Sequence, residues 1–172
     1  LHLGNVVYQM GADLYIHNIE SDHSSKVPIL LRSDFQHRQE KWVTNPKDYL
    51  TSAHVSPDAG RVAVTARGRT FSFPAKRGRI VGIHEDSSIR HREAKFLSQD
   101  RIISIADISG EMEVWQFDTT GKSPPQQLTR GSSNLIEDLF PSPDGDYVAY
   151  LDVDDNLRLL HIEQNEVTDI VR

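Results

Sequence analysis

The chain has 172 residues, 19 Lys and Arg against 25 Asp and Glu for a net charge of −6, and no cysteine. That acidic balance argues against nucleic acid or an anionic membrane surface as a partner. The missing cysteines exclude disulfides, thiolate metal sites and cysteine nucleophiles. No apolar run approaches the roughly 18 residues of a spanning helix, and Leu1-His2-Leu3-Gly4-Asn5 has no leader pattern. The compartment, cytoplasmic or periplasmic, stays open, and a start without Met suggests a trimmed or excised chain.

Alternating or β-branched runs between turn signals predict fifteen strands. The first group is Asn5 to Gln9, Asp13 to Asn18 and Val27 to Leu31, three strands with no fourth before them. The stretch from Asp34 to Tyr49 is polar and interrupted by Asn45-Pro46, so no long helix is expected there. The second group is Leu50 to Val55, Arg61 to Ala66, Thr70 to Pro74 and Ile80 to His84. The third is Glu93 to Leu97, Arg101 to Ala106, Glu111 to Phe117 and Gln126 to Thr129. The fourth is Glu137 to Pro141, Tyr147 to Asp152, Leu157 to Ile162 and Glu166 to Val171.

A repeat organises these groups. Ser56-Pro57-Asp58-Ala59-Gly60 returns 86 residues later as Ser142-Pro143-Asp144-Gly145, with a degenerate Ser98-Gln99-Asp100 near halfway. Four short strands recurring at about 43 residues indicate an all-β chain of β-propeller blades. About four such blades fit in the chain, toward the small end of the roughly 4 to 8 of a closed ring, so an incomplete propeller segment of a larger protein is expected. In each turn the proline fixes φ, the aspartate caps its own backbone and the glycine takes positive φ; Ala59-Gly60 shifts that glycine by one place. The following strands are apolar on both faces (Val62, Ala63, Val64; Val148, Ala149, Tyr150), as expected of strands between neighbouring blades, and read as core. The spacing from Val6 to Val62 is 56 residues, about 13 beyond the period. Either an insertion or a linker between two propellers explains the surplus.

At that surplus the sequence resembles a known family. Lys41-Trp42-Val43-Thr44-Asn45-Pro46-Lys47-Asp48-Tyr49-Leu50, Val55-Ser56-Pro57-Asp58, Arg61 to Gly68, Thr70-Phe71 and Pro74-Ala75-Lys76 with Gly78 are similar to the tricorn-type serine peptidases. Ile89 to Glu93, Ile105 to Glu111 and Gln127-Leu128-Thr129 fit that family's next blade. The resemblance implies the point where a six-bladed propeller ends and a seven-bladed one begins. Residues 1–34 would then be the last strands of a first propeller, 35–49 a linker, and 50–172 three consecutive blades of a second. It also implies a large peptidase whose propellers act as filters or channels to a catalytic chamber, with the serine and histidine in domains far C-terminal to both propellers. No catalytic residue is therefore carried over, and no nucleophile elbow, zinc-peptidase motif or phosphate loop occurs in the sequence.

Four features have chemical readings that compete with plainer ones. His54 near Ser56 would suit a triad only with the right geometry, and blade-turn roles are favoured. Asp152, Asp154, Asp155 and Asn156 with Glu163 echo part of a calcium loop, but Leu157 stands where such a loop needs glycine, so a hairpin tip is favoured. Arg67 and Arg69 with Lys76, Arg77 and Arg79 form a basic cluster suited to a peptide carboxylate or other anion, although solvated hairpin ends are favoured. Trp42, Tyr49 and Trp115 would stack ligands, but linker packing is expected for the first two and blade packing for the third. The eight histidines show no metal-ligand spacing, so no metal or cofactor is assigned.

The expected function is a non-catalytic propeller segment of a tricorn-like peptidase, with peptides or the parent's other domains as partners. The alternative is a stand-alone, TolB-like interaction propeller, and a weaker third is the propeller of a dipeptidyl-peptidase-like enzyme. Open terminal blade faces also lead to an expectation of self-association.

Overall fold

A computed structural model describes residues 4–30, 32, 39–132 and 134–171. Within them lie fifteen strands: β1 (Asn5–Met10), β2 (Asp13–Asn18), β3 (His23–Lys26), β4 (Leu50–Val55), β5 (Arg61–Ala66), β6 (Arg69–Pro74), β7 (Val81–Gly82), β8 (His91–Phe96), β9 (Arg101–Ala106), β10 (Glu113–Asp118), β11 (Gln126–Gln127), β12 (Ile136–Pro141), β13 (Tyr147–Asp152), β14 (Leu157–His161) and β15 (Glu166–Val171). They form one three-stranded sheet, β1-β2-β3, and three four-stranded sheets, β4 to β7, β8 to β11 and β12 to β15. Every pairing is antiparallel between neighbours in sequence, which is the meander of a propeller blade. The fold is that of an incomplete propeller.

Most expected strands lie where the pattern put them, and one does not. The third strand is His23–Lys26, not Val27 to Leu31, of which Leu31 lies outside the described residues. A four-residue loop pairs Asn18 directly with His23, and the Asn18 carboxamide oxygen accepts bonds from the Ser21 backbone and hydroxyl. The hairpin thus turns back at once and uses polar residues as its strand. Val27 N still donates to Leu14 O, but Pro28 has no N–H to continue the ladder. Two of the outermost strands are also shorter than expected, β7 and β11 having two residues each. Single bonds from Ile83 N to Thr70 O and from Leu128 N to Val114 O extend their edges.

The chain divides into two compact units, Leu1–Trp42 and Val43–Arg172. In the first, stacked Tyr8 and Tyr15 and an ion pair between Lys26 and Asp13 join neighbouring strands, and no described residue is fully buried. The second opens on a short 3-10 turn over Pro46–Tyr49 and then builds its three blades. Their first strands lie side by side, β8 against β4 and against β12.

Two cores fill the gaps between these blades. Ala63, Ile83, Phe96, Ile102, Trp115 and Phe117 pack between the first and second blades of this unit. Ile103, Ile105, Val114, Leu139, Val148 and Leu160 pack between the second and third. Strand β9 supplies both cores by alternation, and five of its six residues are buried. In β5 and β13 the fully buried residues are only every second one, Ala63 and Thr65 in the first and Val148, Tyr150 and Asp152 in the second. The expectation that such strands are covered on both faces therefore holds for the middle blade, which alone in this unit has a blade on either side.

The Ser-Pro-Asp turns link strands and blades. Ser56 Oγ donates to Asp58 Oδ1 at 2.6 Å and accepts from Arg61 N, while Gly60 N donates to Asp58 Oδ1. Ser142, Asp144, Tyr147 and Asp146 repeat the arrangement. The residue with positive φ is Ala59 (55°) in one and Gly145 (79°) in the other, so the left-handed position does not move with the glycine. Gly60 is simply the next residue.

Candidate functional site

The His54–Ser56 pair is structural. His54 Nδ1 accepts a 3.0 Å bond from Phe96 N, tying the inner strands of two blades, and the Ser56 hydroxyl is committed to its own turn. Burial, and then the nearby Lys95 charge, lower the His54 pKa, keeping the ring a neutral acceptor.

Asp152 anchors a hairpin tip. It is fully buried, and its oxygens accept from Asp154 N, Asn156 N and Nδ2, Asn134 Nδ2 and Arg158 Nη1. Burial alone would raise its pKa, but the bonds from Asn156, Asp154 and Asn134 outweigh it and hold the group at about 2. Donors occupy both oxygens, and a guanidinium stands where a cation ligand set would need none. Among the described residues no group of three or more His, Asp or Glu is placed to hold a metal ion.

The basic cluster separates. Arg67 sits over the Tyr49 ring at 5.3 Å, and Lys76 and Arg77 are exposed. Arg69 and Arg79 instead meet at a pocket of about 320 Å³ between the first and second blades of the larger unit. Of the aromatics, Trp115 is buried in the core as expected, whereas Trp42 is fully exposed rather than packed against a linker.

Five stretches of chain wall the pocket. Arg69 and Thr70 come from the start of β6, Val81 and Gly82 from β7, His84 from the connection to the next blade, and His91 from the start of β8. The last wall is Thr120, Gly121 and Lys122, in the loop after β10. Asp118 shapes that loop: its oxygens accept from Thr120 N and Oγ1 and from Ser123 N. Burial raises its pKa, yet these bonds bring it well below the usual carboxylate range. A Cβ on Gly121 would lie 2.9 Å from Gly82 O, so the loop can approach β7 this closely only as glycine.

At the pocket floor the His84 and His91 rings lie 5.6 Å apart, with the Phe117 ring 5.2 Å from His91. His91 is 3% exposed, and neither of its ring nitrogens has a hydrogen-bond partner; the same is true of His84 Nδ1. Burial, reinforced by His84 and opposed by Asp107, lowers the His91 pKa to about 4. Nothing in the sequence pairs them, because His84 ends the expected strand Ile80 to His84 while His91 lies in Ile89 to Glu93, the stretch that fits the family's next blade. The only available signal was their position at the connection from one blade to the next.

No protein-family model matches the chain. A tricorn protease homolog from Saccharolobus solfataricus is 25% identical over 140 residues, which is 81% of this chain and 12% of that protein. The crystal structure of the tricorn protease superposes on 98% of the chain and 16% of its own length, with a TM-score of 0.65 and 14% identity. TolB from Acinetobacter baumannii matches 98% of the chain and 41% of its own, with a TM-score of 0.56 and 16% identity. These superpositions agree on a propeller. The chain thus spans about an eighth of the length of the curated relative.

Proposed function

We propose that this chain is a non-catalytic β-propeller segment of a tricorn-like serine peptidase, serving substrate access and domain assembly in peptide degradation. The carrying observation is the 25% identity to a tricorn protease homolog over most of the chain. The chemistry supports it, since His54 and Ser56 are each bound into blade architecture rather than to each other. In this reading residues 1–34 close one propeller, 35–49 link, and 50–172 open the next. The apolar side chains left on the terminal blades, among them Val55, Phe140 and Ile170 at about half exposure, would pack against further blades or against a second copy of the chain. The test is the reading frame on both sides together with a peptidase assay. A frame that runs on into a serine peptidase domain, with hydrolysis in the long protein and none in the 172-residue chain, supports the proposal. A stop within a blade or two sinks it and favours the TolB-like reading, an interaction propeller, which the TolB superposition supports.

A further inference from the structure

The pocket between the first two blades of the larger unit has a chemistry that a channel wall does not need. Three cations, Arg69, Arg79 and Lys122, line it, and among the described residues none of them has an ion-pair partner. Glu85 and Asp86 also border it, but an Asp86 oxygen is held by the Ser88 backbone and hydroxyl. Beneath them, three buried ring nitrogens of His84 and His91 lack any partner. A buried polar atom left unpaired costs roughly 1–3 kcal/mol and is uncommon in folded proteins. Three such atoms on adjacent rings at a pocket floor mark positions for bonds that something else completes.

The bonding pattern narrows the ligand. Burial keeps His91 neutral, so one ring nitrogen carries a proton and donates while the other is bare and accepts. An ionised carboxylate or a sulfate only accepts, and would leave the bare nitrogen unpaired. Inorganic phosphate keeps a hydroxyl across the neutral range, and a phosphate ester, with a second pKa of about 6, keeps one in about half of its molecules at pH 6, so either presents both acceptor oxygens and a hydroxyl donor. Guanidinium groups suit its remaining oxygens, because they bind oxyanions through paired N–H bonds. We propose that this pocket binds the phosphate group of inorganic phosphate or of a small phosphate ester, with Arg69, Arg79 and Lys122 meeting its charge and the His84 and His91 rings exchanging hydrogen bonds with its oxygens and hydroxyl. The inference is independent of the peptidase reading, since it rests on the pocket alone.

The experiment titrates the 172-residue chain with sodium phosphate and with sodium sulfate at pH 6 and fixed ionic strength, following the imidazole proton signals by NMR. Saturable phosphate binding, with sulfate at least tenfold weaker, is expected. Arg79→Ala changes an exposed residue outside both cores; it should weaken phosphate binding at least tenfold and leave unliganded thermal unfolding unchanged. His91→Phe should remove the preference for phosphate over sulfate. Phenyl phosphate identifies the source: tighter binding than inorganic phosphate assigns the pocket to an ester, and weaker binding assigns it to the free ion. Absence of saturation by about 10 mM phosphate, which corresponds to less than about 3 kcal/mol of binding free energy, overturns the proposal. Equal affinity for sulfate, or an Arg79→Ala chain that binds as before, overturns it too.

Discussion

Replacing Gly145 with alanine tests whether the blade turns hold neighbouring blades together as well as joining their own strands. Gly145 has φ of 79° in the Ser-Pro-Asp turn between β12 and β13, and a Cβ there would lie 2.7 Å from Leu97 O in the preceding blade. The left-handed conformation costs an alanine roughly 1–2 kcal/mol. The clash is with backbone and cannot be relieved by a rotamer change, so overpacking adds about 1–3 kcal/mol. The expected loss is therefore about 2–5 kcal/mol, a fall in Tm of roughly 10 °C for a domain of this size. Gly110→Ala is the control, because Gly110 also has positive φ (95°) but nothing lies within 4 Å of its Cβ position. It should lose only the backbone component. The assay is urea and thermal unfolding of both variants beside the parent chain. Equal losses for the two substitutions would refute the claim that Gly145 sits at a contact between blades.

Four other outcomes are expected. Ala59→Gly relieves the φ of 55° that the corresponding turn places on alanine, and should stabilise by up to about 1 kcal/mol in urea unfolding after the extra chain entropy of glycine is counted. His91 titrates at about 4 when folded and 6.5 when unfolded, facing His84, Asp107 and the pocket cations Arg69, Arg79 and Lys122. The unfolded chain therefore takes up the proton first, and stability falls as pH drops from 6.5 to 4, by at most about 1.4 kcal/mol per pH unit. Unfolding of His91→Phe at pH 7 and pH 4.5 should show that this slope is gone. Asp152 acts in the same direction at lower pH, as a carboxylate held at about 2 against 3.8 unfolded: its stabilisation is full above about pH 4 and lost as pH falls through 2. Acid unfolding of Asp152→Asn should be flatter over that window, and an unchanged profile would remove Asp152 as the cause. Finally, light scattering should find the 172-residue chain associated at micromolar concentration; a monodisperse, highly stable monomer contradicts the proposal that its terminal blade faces seek partners.

Strand positions were largely legible because each blade is local. Antiparallel neighbours are adjacent in sequence, so β-branched runs and Ser-Pro-Asp turns locate β4, β5, β9, β13 and β15 without knowledge of anything distant. The repeat and the residues from Lys41 onward likewise carried the likeness to tricorn-type propellers. Where a short polar hairpin overrode apolar composition, as in His23–Lys26, the pattern misled, because a tight loop sets register before side-chain preference does.

The pairing of blades was decided only in three dimensions. Sequence could list Arg69, Arg79, His84, His91 and Lys122, but nothing local says that two histidines from successive blades share a floor while Arg67 turns to Tyr49 instead. Packing one sheet on the next fixes those neighbours. The same packing explains why β9 is buried on both faces while β5 and β13 are fully buried only at alternate residues. The chain by itself specified blades, since a meander needs only short-range pairing; the pocket and its unpaired nitrogens arise where two blades meet, and that meeting depends on contacts between residues far apart in sequence.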